Sequence, residues 1–192
     1  ALVAAGVLKF ESAVKLVHIR GKLMEKAVPN GEGAMAAIIG LEESKLVAIC
    51  KEDMGIVEPA NFNTKEQIVI SGETEAVKRV CKEAETAGAK RAILLPVSGP
   101  FHSILMKTIV EDFEKELNKH VFSDAQIPVI NNVEAEPEKQ ADKIKKLLLR
   151  QIYSPVLWRQ SVEKMVELGA TKFEEVGPGN VLAGLVRRIV KI

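Results

Sequence analysis

Residues 34–97 read AMAAIIGLEESKLVAICKEDMGIVEPANFNTKEQIVISGETEAVKRVCKEAETAGAKRAILLPV, and this stretch decides the fold. Its short apolar runs predict strands, and its longer amphipathic segments predict helices. The predicted strands are 35–39, 56–61, 67–71 and 91–97, and the predicted helices are 42–51 and 74–87, with Gly88 as the stop signal of the second helix. This strand–helix–strand–strand–helix–strand order predicts a ferredoxin-like βαββαβ subdomain.

The segments on both sides of this stretch also alternate between helices and strands. Helices are predicted at 11–28, 103–119, 142–151 and 155–168, strands at 128–133 and 172–176, and a last helix after Gly177-Pro178-Gly179. Residues 1–6 have the pattern of a helix end that Gly6 stops. Such alternation, together with the apolar run 127–130, is typical of a mainly parallel sheet that is covered on both faces. We therefore expect an α/β protein whose core domain is formed by residues 1–33 and 98–192.

The composition excludes several classes of protein. The chain has 192 residues, enough for one or two domains, and its 27 basic and 26 acidic residues leave a net charge of +1. This balance disfavours a strongly basic nucleic-acid-binding protein. No apolar run approaches the roughly 18 residues of a membrane-spanning helix. We expect a cytoplasmic protein that binds neither nucleic acid nor membrane.

The two cysteines, Cys50 and Cys81, lie in predicted helices, and neither belongs to a Cys-x-x-Cys pair. Metal sites and reactive dithiols need such clustering. We expect both thiols to be reduced and buried, and we expect no metal site.

Among the three histidines, His102 alone has a setting typical of an active site. It follows a predicted buried strand and precedes a predicted helix, where catalytic residues of α/β sheets collect. His18 and His120 lie on helix flanks among lysines, so we expect them to be solvated. A catalytic histidine normally works with a serine or cysteine nucleophile, but no serine lies in a Gly-x-Ser-x-Gly elbow. Ser98 and Ser103, which flank His102, fit turn and N-cap roles.

Arg20 is the unusual residue of the first long helix. Its neighbours one helical turn away are Leu16, Val17, Leu23 and Met24, so it projects from an apolar stripe. One interpretation is structural: the side chain snorkels or pairs with a carboxylate elsewhere in the fold. The other is functional: the guanidinium is a fixed fork for a ligand carboxylate or phosphate. The residues alone leave both open.

Several short motifs occur together and in order along the chain. They are VHIRGKLM (17–24), GAMAAI (33–38), NFN (61–63), VSGPFHS (97–103) and EVGPG (175–179). In this combination the chain resembles the malonyl-CoA:acyl-carrier-protein transacylases of type II fatty acid synthesis over essentially its whole length. The same acyltransferase domain occurs in polyketide synthases, so the resemblance does not separate the two pathways.

The resemblance implies a hydrolase-like acyltransferase core and a transfer without a cofactor. In such a transfer a serine attacks malonyl-CoA, and the phosphopantetheine thiol of acyl carrier protein then takes the malonyl group. His102 would be the general base and acid, oriented by the main-chain carbonyl of Gln151. Arg20 would hold the free carboxylate of malonate and Phe101 would narrow the acyl pocket. By the same resemblance, Asn61 and Asn63 would contribute to substrate binding.

One part of the family pattern is absent from these residues. The nucleophilic serine of the Gly-His-Ser-Leu-Gly elbow would lie a handful of positions before Ala1, and the Gly-Gln-Gly-Ser segment is also absent. We expect a fragment of a longer chain, the alternative being a truncated homologue. Two other functions are a non-catalytic module that binds carrier protein or acyl-CoA, and a relative of serine hydrolases that lets water deacylate the enzyme.

The carrier proteins of this pathway are acidic, so a nearly neutral enzyme needs a local basic cluster for docking. Lys90 and Arg91 start the predicted strand that leads towards His102, and Arg187, Arg188 and Lys191 lie in the last helix. We expect these two groups to flank the thioester entrance. The competing interpretation of the second group is that it offsets the dipole at a helix C-terminus.

Overall fold

Two antiparallel sheets and seven α-helices make up the computed structural model, which describes residues 1–190. In chain order the elements are α1 (Phe10–Lys26), β1 (Gly33–Ile39), α2 (Glu43–Glu52), β2 (Val57–Thr64), β3 (Gln67–Glu73), α3 (Thr74–Thr86), β4 (Arg91–Leu94), a 3-10 helix (Ile104–Ile109), α4 (Val110–Leu117), β5 (Val129–Ile130), β6 (Pro137–Glu138), α5 (Ala141–Gln151), α6 (Trp158–Glu167) and α7 (Val181–Val190). Across residues 1–190, no helix combines the length and the apolarity needed to cross a bilayer.

The larger sheet has four strands in the order β2-β3-β1-β4, all antiparallel to their neighbours. Successive side chains of a strand point to opposite faces, and β1 is apolar on both. Ala36 and Ile38 face a cluster that contains side chains of α2 and α3. Met35 and Ala37 face the other side, where Leu95 and Phe101 pack. The sheet therefore brings the segment after β4 against its second face.

Two glycines allow close approaches to this sheet. A Cβ on Gly72 of β3 would overlap the backbone carbonyl oxygen of Ile56. A Cβ on Gly33 at the start of β1 would overlap the ring of Pro100. The second contact matters for the site because Pro100 lies two residues before His102. Glycine at position 33 thus lets the His102 segment lie directly on the sheet.

A second apolar cluster joins α1, the 3-10 helix, α4 and α5. Met106, Leu117 and Ile152 are fully buried in it, and Leu16 and Met24 are the buried residues of α1. The predicted apolar stripe of α1 is wrong at Val17, which is 71% exposed. The helical period indicated which positions could share a face of α1, but the rest of the protein covers a narrower stripe of that helix than the apolar pattern predicted.

The predicted mainly parallel sheet is not found among residues 1–190. Both sheets are antiparallel, and the parallel pairing in this part of the chain is an isolated bridge between Asn61 and Val156. Of the predicted strand 128–133, Val129–Ile130 alone is a strand, and it pairs with β6. Residues 172–176 form no strand. Because a strand exists only where a neighbour supplies hydrogen-bond partners, an apolar run without such a neighbour stays irregular.

Smaller differences concern helix ends and burial. The predicted helix 103–119 begins as a 3-10 helix and becomes α-helical at Val110. Residues 1–6 form hydrogen-bonded turns that end at Gly6, whose φ is 76°. Cys50 is buried as expected, but Cys81 is only half-buried. Lys191 lies outside the described residues.

Candidate active site

His102 lies in the loop between β4 and the 3-10 helix, with a backbone φ of 63°. This left-handed conformation costs a residue with a side chain roughly 1–3 kcal/mol and persists only where the surroundings enforce it. Here the Phe101 N–H donates to the Gly99 carbonyl at 3.0 Å, and the Ser103 hydroxyl donates to the Pro100 carbonyl at 2.7 Å. Ser103 is fully buried, so this brace is shielded from water. The loop therefore fixes the direction of the His102 side chain.

The His102 ring contacts the end of α5. Its Nδ1 lies 2.9 Å from the backbone oxygen of Gln151, the last residue of that helix. The last carbonyls of a helix have no partner within it, so this oxygen is free to accept. A carbonyl can only accept, so Nδ1 carries the proton. In the neutral ring Nε2 is then unprotonated and can act as a base.

The surroundings lower the pKa of His102. Burial is the largest cause, and the positive charge of Arg20 acts in the same direction. Hydrogen bonds to the backbone oxygens of Gln151 and Ser154 oppose this shift because they favour the charged ring. The imidazole is therefore neutral at pH 7. The negative end of the α5 dipole would stabilise the imidazolium that forms when Nε2 takes a proton.

Arg20 borders a cavity of about 330 Å³. Most of its lining is apolar, and its polar side chains are Arg20, Asn131, Asn132, Gln151 and Glu138, the last of which is paired with Lys143. Burial alone lowers the pKa of Arg20, and no carboxylate of residues 1–190 forms an ion pair with it. In this part of the chain the structural interpretation by ion pairing is not seen. A half-buried cation beside a cavity, close enough to influence His102, is suited to an anionic ligand.

The other residues expected to bind substrate lie on or near the sheet. Phe101 is half-buried and packs against both the sheet cluster of Met35 and the helical cluster of Met106. Asn61 pairs with Val69, a member of the cluster that Phe101 contacts, and Asn63 lies in the irregular part of β2 before Thr64. Both asparagines are half-buried, but neither borders the Arg20 cavity.

The two basic pairs expected to flank the thioester entrance lie on different elements of the fold. Lys90 and Arg91 lie at the start of β4, which is one edge of the four-stranded sheet. Arg187 and Arg188 lie in the last turn of α7, which contacts β2 at the opposite edge. The two pairs are thus associated with strands at opposite edges of the sheet.

Three contacts of the site were not foreseen from the sequence. They are the Asn132 side chain, which accepts a hydrogen bond from Gln151 at 2.7 Å, the Ser154 backbone oxygen, and the Glu58 carboxylate beside the Ile104 N–H. Burial raises the pKa of Glu58. The sequence does contain a signal for Asn132: it is a polar residue just after the apolar run 127–130, and polar residues at strand ends often contribute to sites in α/β proteins. A backbone oxygen such as that of Ser154 carries none.

Within the described residues, no group of three or more His, Cys, Asp and Glu side chains could hold a metal ion. Burial raises the pKa of Cys50 to about 12 and that of Cys81 to about 11. Both thiols are therefore protonated at neutral pH and unsuited to nucleophilic attack. The candidate groups of this site are therefore His102, as a base, and Arg20, as a cation that binds an anion.

The known proteins that this chain resembles in sequence and fold are acyltransferases. The model of the acyl transferase domain matches residues 1–191. The malonyl CoA-acyl carrier protein transacylase of Escherichia coli (strain K12) is 49% identical over 192 residues, covering 99% of this chain and 62% of the relative. The chain thus spans about 62% of the length of that curated relative.

Solved structures agree with the sequence match. An acyl carrier protein S-malonyltransferase from Vibrio cholerae superposes with a TM-score of 0.96 at 50% identity, covering 100% of this chain and 63% of the other. A malonyl-transacylase in complex with a type II PKS acyl-carrier protein also has a TM-score of 0.96, at 47% identity, covering 100% of this chain and 62% of the other. On sequence and fold together, the chain belongs to the acyl transferase domain family.

Proposed function

We propose that this chain is the larger part of an acyltransferase that moves a malonyl group from coenzyme A to the phosphopantetheine thiol of acyl carrier protein. The observation that carries the proposal is the proximity of a neutral, oriented His102 to the half-buried cation Arg20. The charge of Arg20 lowers the pKa of His102, and Arg20 borders the cavity together with Gln151, the hydrogen-bond partner of His102. The names of the relatives supply the substrate and the acceptor. The nucleophilic serine would come from sequence outside these 192 residues.

The reaction would proceed in two balanced half-reactions. His102 Nε2 takes the serine hydroxyl proton while the serine oxygen bonds to the thioester carbon, and the carbon–sulfur bond breaks. The imidazolium returns the proton to the coenzyme A sulfur. In the second half-reaction the carrier-protein thiol gives its proton to Nε2, attacks the acyl-serine, and releases the serine oxygen, which is reprotonated.

The neutral carbonyl of Gln151 fits this chemistry. A carboxylate at that place would also fix the tautomer of His102, but it would put a negative charge near a substrate that is itself negatively charged. A helix-end carbonyl orients the ring and adds only a partial charge. No carboxylate beside His102 then competes with the substrate for the guanidinium of Arg20.

Substrate choice tests the role of Arg20. In the serine-containing enzyme, Arg20→Ala should lower transfer from malonyl-CoA by roughly ten- to a hundredfold, the equivalent of ~1.5–3 kcal/mol for a charge-assisted contact. Transfer from acetyl-CoA, which lacks the free carboxylate, should change much less. Arg150→Ala is a matched control, because Arg150 lies on the surface paired with Glu134. Equal losses with both substrates would refute the assignment.

His102→Ala tests the base. In the same enzyme it should abolish most serine malonylation and leave the thermal unfolding temperature nearly unchanged, because a loop side chain contributes little packing. Unchanged malonylation would remove His102 from the mechanism. A loss of stability in step with activity would make it a structural residue.

A second candidate is a non-catalytic module that binds carrier protein or acyl-CoA. The observation in its favour is that these 192 residues contain no Gly-x-Ser-x-Gly elbow. Intact mass after incubation with malonyl-CoA separates the two functions. A serine-containing enzyme gains a malonyl adduct and this chain alone does not, whereas a binding module gains none in either form.

For the domain organisation, we propose that residues 34–97 form a ferredoxin-like subdomain inserted in an α/β core of residues 1–33 and 98–192. The strand order β2-β3-β1-β4 with α2 and α3 on one face supports it. Limited proteolysis should cut near 33 and 97 before it cuts inside the sheet. Early cleavage within β1 to β3 would refute this division.

We propose that the carrier protein docks on these basic pairs, and each pair is tested by itself. Because the pairs lie at opposite sheet edges, we expect one of them to dominate. Reversing Lys90 and Arg91 to Glu in one variant, and Arg187 and Arg188 in another, should slow transfer to the carrier protein in one variant only and flatten its salt dependence. Serine malonylation should be unaffected. Normal transfer in both variants would exclude these surfaces.

A further inference from the structure

We infer that Asn132 is a positioning residue for His102 and acts through Gln151. The inference rests on the proposed function in one respect, namely that His102 is the catalytic base. Three residues are linked in series: the side-chain amide nitrogen of Gln151 donates to Asn132 Oδ1 at 2.7 Å, and the backbone oxygen of Gln151 accepts from His102 Nδ1 at 2.9 Å. One residue therefore holds the ring with its backbone and is itself held by its side chain.

Gln151 needs such a restraint because of its place in the helix. It is the last residue of α5, and the last turn of a helix tends to fray. A carbonyl that moves with a fraying turn would orient His102 poorly. The hydrogen bond from its side chain to Asn132 ties this helix end to a second segment of the chain.

The segment that carries Asn132 is itself braced. The Asn132 backbone oxygen accepts from the Leu157 N–H at 2.8 Å. Next to it, Asn131 Oδ1 accepts from the N–H groups of Val133 and Glu134 at 3.1 and 2.7 Å. Val156, beside Leu157, exchanges backbone hydrogen bonds with β2 at 2.8 and 2.9 Å. The restraint on Gln151 is thus anchored in the four-stranded sheet.

An amide suits this position better than a carboxylate. Asn132 borders the same cavity as Arg20, so a negative charge there would attract the guanidinium and repel the carboxylate of the substrate. An amide oxygen accepts the hydrogen bond from Gln151 without that charge. Asn132→Asp should therefore preserve the orientation of the ring but weaken malonyl binding.

The orientation can be measured in the serine-containing enzyme before any substrate is added. With ¹⁵N-labelled histidine, the side-chain nitrogen signals of His102 should report the Nδ1–H tautomer in the unsubstituted protein. Asn132→Ala should shift the ring towards a mixture of tautomers, and so should Gln151→Ala, which removes the side chain but keeps the backbone oxygen. The double variant should do no more than either single one, because both break the same link.

Controls and activity complete the test. Asn30→Ala, at an exposed asparagine, should leave the His102 signals unchanged, and Asn132→Asp should restore the single tautomer. In the serine-containing enzyme, Asn132→Ala should lower kcat for malonylation about tenfold with little change in KM. An unchanged tautomer in both single variants, or additive effects in the double variant, would overturn the inference. A raised KM with normal kcat would instead make Asn132 a substrate contact and also refute it. Since the tautomer needs no acyl transfer, failure of the proposed function would leave that result standing.

Discussion

Strand β3 and the segment 127–130 are both short apolar runs, yet they end in different environments. β3 lies between β1 and β2, and its Ile70 is fully buried. In the other segment Val129 and Ile130 pair with a two-residue partner, and Ile127 is 57% exposed. The sequence of a strand is thus not enough to bury it. Burial needs neighbours on both edges and a layer on each face.

The strongest test of the well-paired region is Gly72→Ala. The added Cβ would overlap the backbone carbonyl of Ile56, which cannot move without breaking the pairing of β2 with β3. We expect a loss of about 3–5 kcal/mol in the free energy of unfolding, measured by urea denaturation. Gly184→Ala in α7 is the control, because a Cβ there meets nothing within 4 Å. Equal effects of the two substitutions would show that the sheet tolerates a shift of β2.

The same substitution in the two apolar runs measures their difference directly. Ile70→Val removes one methylene from a closely packed core and should cost about 0.5–1.5 kcal/mol. Ile127→Val removes it from a solvent-exposed side chain and should change stability by less than about 0.5 kcal/mol. Chemical denaturation of both variants under one condition is sufficient. A comparable cost at Ile127 would mean that this segment is covered in solution.

The βαββαβ order was predictable because its signals are local. Apolar runs of strand length alternate with amphipathic helices there, and each strand has its partners within the same stretch. The prediction of a parallel sheet was wrong for residues 1–190, because the pairing of residues 128–133 depends on strands elsewhere, which a local apolar pattern does not specify. The sequence period located Arg20 on α1 but overestimated the covered face, as the exposure of Val17 shows.

The site was predictable to the extent that it depends on side chains in motifs. His102 was singled out by its position after a predicted strand, and Gln151 came from the family resemblance; the structure places His102 Nδ1 against the Gln151 oxygen. The contribution of Ser154 was missed because a backbone oxygen leaves no trace in the sequence, and that of Asn132 was missed although it is a polar residue just after an apolar run. That the two basic pairs flank the thioester entrance stays a prediction, because their positions in the sequence do not show which edge of the sheet each pair lies near.

Helix α1 shows the same dependence on neighbours as the two apolar runs, because it is covered on a narrow stripe and carries Gly21 in its interior. A Cβ added at Gly21 would meet nothing within 4 Å, and Gly21 is not among the glycines with positive φ. Alanine loses less backbone entropy than glycine on entering a helix, so Gly21→Ala should stabilise the protein by about 0.5–1 kcal/mol. The melting temperature should rise accordingly. A decrease would show that another part of the protein packs closely on this turn.

The smallest expected effect is at Glu138, which lies in the sheet formed by the two-residue strands β5 and β6. Its side chain accepts hydrogen bonds from backbone N–H groups that have no strand partner. Its carboxylate accepts from the N–H groups of Lys139 and Gln140 at 2.8 Å each, just before α5, and from Lys143 Nζ at 2.8 Å. Lys143 contributes most to lowering the pKa of Glu138 from 4.5 to about 2. A carboxyl group with a lowered pKa in the folded state adds stability above its ordinary value and loses it as pH falls towards the folded value.

We therefore expect the unsubstituted protein to be more stable than Glu138→Gln at pH 7, with the difference shrinking between pH 4.5 and about 2. Melting temperatures of both proteins across that range measure it. Lys143→Met should reduce the pH-dependent part, because it removes the largest cause of the shift while leaving the backbone N–H donors in place. A difference that stays constant with pH would mean that Glu138 stabilises the start of α5 through shape and hydrogen bonding alone, since a neutral glutamine oxygen can accept the same two N–H groups but cannot respond to acid.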